Sequence, residues 1–230
     1  MEFLFIKLSI DNILLLWEGL LLERKIFLVS NNSKVLLTDI TTALLSLIFP
    51  FKWEQAAIPI LPEKLRVFID APVPTIIGIC FKIENTEFPP ESIVINIDKN
   101  TIEKYLDKMP GLPNKLKANM TKRLEKYKYK FNNMDDNLRI MTCDEAFNVT
   151  MDIFESKEKF DSLDIRDIFY EFFVLMFKNY EKYFGFKNKK TKEKENLTFN
   201  REVFLKDHSS NDVFFNYISL DPSCINSRKL

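Results

Sequence analysis

Few side chains in this sequence have the type and spacing that covalent chemistry requires. Cys143 is followed by Asp144 and Glu145, and His208 is the single histidine. A thiol and a distant imidazole can form a nucleophile and its base. Two acids beside Cys143 would instead raise its pKa, and no spacing links it to His208, so a structural role is the stronger reading. Asp135-Asp136 and the Asp164/Asp167 pair could ligate a metal or share acid–base work, but acids gather at helix starts for dipole reasons alone, and that reading is preferred. His208 precedes Ser209-Ser210-Asn211 and reads as a solvated turn residue. One histidine cannot make a His-rich metal site. The four glycines, Gly19, Gly78, Gly111 and Gly185, lie too far apart to build a phosphate-cradling loop. No catalytic residue, metal or cofactor is expected.

Charge says more about partners. Lysine plus arginine and aspartate plus glutamate number 33 each, so the formal net charge is zero. A general nucleic-acid binder needs an excess of cations, and no nucleic-acid partner is expected. The balance hides segregation. Lys115, Lys117, Lys122, Arg123, Lys126, Lys128 and Lys130 are opposed by Glu125 alone, whereas residues 135–171 are acidic. A basic helix can make peripheral contact with an anionic membrane. The plainer reading is a solvated face above an apolar stripe of Leu116, Met120 and Leu124.

The elements that would position these residues differ between the two halves. In the first, Ser9 can cap a helix over 10–22. A β-rich run follows at 25–30, then a turn at Asn31-Asn32-Ser33, and a helix over 35–49 ended by Pro50. Residues 56–62 are extended between prolines, 63–69 form a short helix, and 75–81 and 93–97 are two further strands. Strands without alternation call for helices on both faces, the pattern of an α/β layer. In the second half no strand is expected after about residue 99. Helices are expected over 112–130, 143–159, 161–184, 200–205 and 211–218, with Gly185 as a C-terminal cap and an exposed polar run at 187–196. Phe172 to Phe177 is apolar all round and should be central to a bundle. The domains expected are an α/β domain at 1–105 and an all-α segment at 106–230. Three scattered cysteines, Cys80, Cys143 and Cys224, fit a reducing compartment without a disulfide framework. The longest apolar stretch, 13–22, is broken by Glu18 and is too short to span a bilayer. There is no secretory signal pattern, so a cytoplasmic location is expected.

Five motifs in a fixed order then carry a resemblance. Leu20-Leu21-Leu22-Glu23-Arg24-Lys25-Ile26-Phe27-Leu28-Val29-Ser30 resembles the "LLLER" signature of the central DENN domain. Leu47-Ile48-Phe49-Pro50-Phe51-Lys52-Trp53 is similar to the family's "LYPFxW", and Ile58-Pro59-Ile60-Leu61-Pro62 to its "IPVLP". Ala71-Pro72-Val73-Pro74-Thr75-Ile76-Ile77-Gly78-Ile79 resembles "APxPFLIGV", and Ile93-Val94-Ile95-Asn96-Ile97-Asp98 resembles "VVVDLD". The match is close over 8–100 and looser over 160–218, where Ile165-Arg166, Phe169, Phe172-Phe173 and Tyr180 resemble the downstream all-helical DENN segment.

The resemblance implies a central DENN-type sheet with flanking helices, followed by that helical segment. It implies a guanine-nucleotide exchange factor for a Rab-type small GTPase, acting in vesicle trafficking, peripheral at vesicle or endosomal membranes, with no covalent chemistry of its own. A non-catalytic scaffold or regulatory module on the same fold is the alternative. In the family a longin-like lobe precedes the central domain. Its absence before residue 1 raises the expectation of a fragment, or of a partner that supplies the lobe. The family's closing "TQxF" pattern is also missing near 214–218.

Motif residues Glu23, Arg24, Ser30, Pro50, Trp53, Pro59, Pro62, Gly78 and Asp98 are expected mainly to maintain the fold. Gly78 should admit a close neighbour within a strand. Phe51 and Trp53 should anchor a chain reversal. Arg24 should enter a buried ion pair or face a partner. Exposed loops on a rigid scaffold are where binding residues usually sit. The GTPase-contact residues expected are therefore Asn31, Asn32, Ser33 and Lys34 after a strand end, with Asp70, Pro72 and Pro74 on the same edge.

Overall fold

The computed structural model describes residues 1–83, 86–104, 111–127, 160–177, 184–186 and 197–199. They fall into two compact units, one within 1–109 and 119–170 and the other within 110–118 and 171–230.

The first unit is built on a five-stranded sheet, ordered β2-β3-β1-β4-β5. In chain order the elements are α1 (Glu2–Lys7), α2 (Ile10–Leu21), β1 (Lys25–Val29), α3 (Lys34–Ser46) and β2 (Ala56–Leu61). A 3-10 segment, Glu63–Asp70, leads to β3 (Thr75–Ile79), β4 (Ser92–Asn96) and β5 (Thr101–Lys104). Strands β2, β3, β1 and β4 run parallel, and β5 adds antiparallel at the edge. The expected mixed α/β architecture is present. Strand β5, which was not expected, is a correction: its four residues Thr-Ile-Glu-Lys carry too little β-signal to show without the β4 edge to pair with.

Register sorts the side chains into two layers. Ile26, Ile76 and Ile93 lie side by side, as do Leu28, Gly78 and Ile95. Helices α2 and α3 cover this face. A Cβ on Gly19 of α2 would come 2.6 Å from Ile93 Cδ1, and one on Gly78 would come 3.3 Å from Leu37 Cβ of α3. The opposite face carries Phe27, Val29, Ile77, Ile79 and Val94. Among the described residues, Ile69 of the 3-10 segment, Leu61, Phe81 and Phe88 pack on it, with Phe88 4.9 Å from the Phe27 ring. The sheet thus has flanking helices, with α2 and α3 on one face and, among the described residues, the 3-10 segment and two loop rings on the other.

Local signals explain the helices. Ser9 caps α2 through its Oγ, which accepts from Asn12 N–H at 3.3 Å, and Ser33 caps α3 by accepting from Leu36 N–H at 3.1 Å. Helix α3 stops at Ser46, short of Pro50, which joins Phe49 through a cis peptide. Trp17 is fully buried on α2 and donates from Nε1 to the Leu47 carbonyl at 3.1 Å.

Helix α4 (Asn114–Leu124) buries Met120 and Leu124 of the expected stripe, while Leu116 is half-buried, and a 3-10 turn follows at Glu125–Tyr127. Helix α5 (Ser162–Met176) sets Phe169 5.0 Å from the Trp17 ring. It buries Ile165, Ile168, Phe169, Phe172, Phe173 and Met176, a stripe at helical spacing, but exposes Val174 and Leu175. Its apolar middle is therefore amphipathic and not apolar-facing all round. The helix expected to reach residue 184 is also corrected. Phe184–Phe186 (β6) pairs antiparallel with Leu197–Phe199 (β7), and Gly185 lies in that strand opposite Thr198. The downstream segment is thus not all-α. The helices expected over 143–159, 200–205 and 211–218, and the polar run 187–196, lie outside the described residues, as do Cys143, Asp135-Asp136 and His208.

Candidate functional site

The parallel strands separate the expected site residues into two groups. Ser30, Asn31, Asn32, Ser33 and Lys34 follow the C-terminal end of β1, Pro62 follows β2 and Asp98 lies just past β4. Glu23 and Arg24 precede β1, Pro50 and Trp53 precede β2, and Asp70, Pro72 and Pro74 precede β3. Because Val29 pairs with Ile79 and Ile26 with Ile76, residues 31–34 and 70–74 sit at opposite ends of the sheet. The shared edge expected for these loops is corrected by the parallel register. Pro59 and Gly78 are interior, and a Cβ on Gly78 would run into the Pro59 carbonyl, whose carbon would be 2.8 Å away.

The C-terminal end is a hydrogen-bonded latch. Asp98 accepts from Ser30 Oγ and from Asn31 N–H, each at 2.8 Å. Ser30 Oγ accepts in turn from Ser33 N–H at 3.2 Å. This ties the β1–α3 turn to β4, across the point where the connections leaving β1 and β4 diverge, the usual position of a binding crevice in open α/β sheets. Ser30 and Ser33 are buried, while Asn31, Asn32 and Lys34 are exposed. Burial pushes the Lys7 ammonium below its ordinary value, and the Asp98 carboxylate opposes that shift.

One contributor was missed. Asn100 adopts φ 54°, a left-handed conformation that asparagine tolerates. Its Oδ1 accepts from Ser9 N–H at 3.0 Å and from Asn12 Nδ2 at 2.7 Å, pinning the start of α2 to the β4–β5 turn. Asp98-Lys99-Asn100 after a β-run was the available turn signal.

The N-terminal end is built differently. Helix α2 closes in a Schellman arrangement: Glu23 N–H donates to the Leu20 carbonyl at 3.1 Å, and Arg24 N–H to the Gly19 carbonyl at 2.9 Å. Glu23 occupies the left-handed position, at φ 50°, where glycine is the usual residue. Its carboxylate is exposed and accepts from Gln55 Nε2 at 3.4 Å. Arg24 Nη1 meets Glu91 Oε2 at 3.2 Å, with the Arg24 side chain 17% and the Glu91 side chain 71% exposed, so this ion pair opens to solvent on the Glu91 side. Such a bridge is worth roughly 0–1 kcal/mol. Trp53 is half-buried and donates to the Ala56 carbonyl at 3.3 Å; the Phe51 side chain is exposed, and its N–H donates to the Ile48 carbonyl at 2.8 Å. Val73 and Pro72 are exposed beside them.

An open groove of about 470 Å³ lies on the sheet's loop-covered face, lined by Ile83, Thr86, Glu87, Phe88, Val94 and Glu103. No cluster of three or more histidine, cysteine, aspartate or glutamate side chains suited to a metal occurs among the described residues. Among them, no helix is long and apolar enough to cross a membrane.

The described residues thus form a buried, mostly parallel sheet with loops at both ends that carry exposed polar side chains. Residues 1–100 match the model of the DENN (AEX-3) domain family. DENN domain-containing protein 1A of Homo sapiens is 29% identical over 126 residues, covering 53% of this chain and 12% of that protein. Elicitor of plant defense protein 1 of Gibberella zeae is 37% identical over 101 residues, 44% of this chain and 9% of that protein. DENN domain-containing protein 1B of Mus musculus is 29% identical over 126 residues, covering 16% of its length. The chain therefore spans a small part of the curated relatives it matches.

Proposed function

We propose that this chain acts as part of a guanine-nucleotide exchange factor for a Rab-type small GTPase in membrane trafficking. The observation that supports the reading is the DENN match over residues 1–100, where the five motifs fall on the end of α2 and on the strands and turns of one sheet.

The physics of exchange asks nothing reactive of the factor. It must bind the nucleotide-free GTPase more tightly than the nucleotide-bound form, and that difference alone sets how far the population shifts. The nucleotide, its Mg²⁺ and the phosphate loop belong to the GTPase. Polar and apolar side chains on a rigid sheet suffice to hold its switch segments. Asn31, Asn32, Ser33 and Lys34, and separately Asp70, Pro72 and Pro74, are the proposed contact loops. Since they lie at opposite ends of the sheet, Lys34→Ala and Asp70→Ala report on different surfaces and should be tested apart.

The test is release of fluorescent GDP from a panel of the host's Rab proteins. The 230-residue chain is expected to accelerate release from at least one of them by about tenfold, which corresponds to about 1.4 kcal/mol of differential binding. No acceleration across the panel overturns the reading. Equal affinity for the GDP, GTP and empty states would instead identify a non-catalytic scaffold.

A further inference from the structure

The left-handed residue at the end of α2 is the starting point. Glycine at the position after a helix C-cap avoids the steric cost that any other side chain carries there. Glu23 holds this position at φ 50°, and its carboxylate is exposed. The motif does not need a glutamate for its own bonds, because both Schellman hydrogen bonds are made by backbone groups. Among the described residues, the side-chain hydrogen bond that Glu23 makes, from Gln55 at 3.4 Å, is long and exposed. An unfavourable backbone conformation kept at an exposed polar residue points to use of the side chain outside the fold.

The topology says what lies around it. Lys25 begins β1 and Thr75 begins β3, one position before the paired Ile26 and Ile76, and Ala56 pairs with Thr75. Glu23, Gln55 and residues 73–74 are therefore brought to the same end of three adjacent strands. Phe51 and Val73 there are 42% and 45% exposed, and Asp70 is exposed on the same loop. Neither Glu23 nor Asp70 forms a salt bridge among the described residues, whereas Arg24 and Lys52 are each matched by a nearby glutamate. Exposed apolar side chains flanked by carboxylates without cations suit a partner surface that offers an apolar patch and a cationic side chain.

We infer that this N-terminal end of the sheet is the docking surface for the GTPase, with Glu23 accepting a cationic side chain of the partner and Val73 and Phe51 meeting its apolar surface. The inference rests on the exchange-factor reading and assigns the surface that reading leaves open. It gives Glu23 of the "LLLER" motif a contact role in place of the fold-maintaining one.

Two variants of the 230-residue chain test it. Glu23→Gly removes the steric cost and the carboxylate together; Glu23→Gln keeps the backbone cost and removes the charge. Melting temperature and affinity for a nucleotide-free Rab-type GTPase are measured for both. Glu23→Gly should melt about 2 °C higher than wild type. Both variants should bind the GTPase roughly 5- to 10-fold more weakly. A residue serving only the fold could not give Glu23→Gly this pairing of higher stability with weaker binding. Wild-type affinity in both variants overturns the inference, as does a lower melting temperature for Glu23→Gly. Weaker binding by Lys34→Ala with unchanged Glu23 variants also overturns it, placing the contact at the opposite end. If the wild-type chain binds no nucleotide-free GTPase of the panel, the exchange-factor reading itself fails, and this assignment with it.

Discussion

Gly78 and Glu23 show two opposite ways in which a single residue sets backbone geometry. Gly78 lies in a strand whose neighbour, the Pro59 carbonyl, occupies the space a side chain would take. The clash is with backbone, so no rotamer change can relieve it. Gly78→Ala should therefore cost at least about 3 kcal/mol, read as a fall in the urea midpoint with unchanged slope. A midpoint within error of wild type would show that β2 can retreat. Glu23 is the converse, a side chain where none is favoured. Its sequence neighbourhood reads as a helix end, but the left-handed φ appears only once the Gly19 and Leu20 carbonyls are seen to accept the last amides.

Elements are joined at the C-terminal end of the sheet by polar side chains. Asp98 alone takes two hydrogen bonds that cross from β4 to the β1–α3 turn. Hydrogen bonds to an ionised group contribute more than neutral ones. Asp98→Ala should lower stability by about 2 kcal/mol, and it should raise amide exchange in the first turn of α3 more than in β3. Uniform exchange throughout would show that the latch does not hold the turn. Asn100 performs the same service for α2 from the β4–β5 turn. Both features follow from strands brought side by side. Asp98 and Ser30 are 68 positions apart, and Asn100 and Ser9 are 91 apart. No local pattern announces such a pairing.

For the molecule as a whole, the acid response is set partly by one cluster in the first unit. Asp164 of α5 accepts from Lys126 Nζ at 2.7 Å and from Tyr127 Oη at 2.5 Å. The Lys126 and Tyr127 hydrogen bonds hold the Asp164 carboxyl below its ordinary value of 3.8. Hydrogen bonding to Asp164 raises Lys126, and burial raises Tyr127. A depressed carboxyl contributes stability that is present above its unfolded value and lost as pH falls through the folded one. The raised Lys126 and Tyr127 contribute below their unfolded values and lose that contribution as pH rises through the folded ones. Wild type should thus lose stability more steeply than Asp164→Asn between about pH 4 and pH 2. Parallel acid limbs for the two proteins would remove Asp164 from the account. Lys126 is also one of the seven cations of the basic stretch, and its bridge to Asp164 leaves that face less free for an anionic surface than the sequence suggests.

Local sequence signals set strands β1 to β4 and the helix caps. Runs such as Ile26-Phe27-Leu28-Val29 and Ile93-Val94-Ile95 are local, apolar and β-branched or aromatic. Ser9 and Ser33 act on amides three residues away. The ordered motifs of residues 20–98 lie within one chain segment, so their resemblance to a family could be read directly. Tertiary structure alone decided what depends on distant neighbours. Strand β5 forms because β4 offers an open edge, and β6 with β7 because Phe-Gly-Phe and Leu-Thr-Phe meet across an intervening stretch of chain. The loop rings Phe81 and Phe88 pack on the face of Phe27 although each lies far from it in sequence. The site was legible as residue types and illegible as a place. Parallel pairing sent residues 31–34 to one end of the sheet and residues 70–74 to the other, because strand direction is a property of the assembled sheet and not of any segment within it.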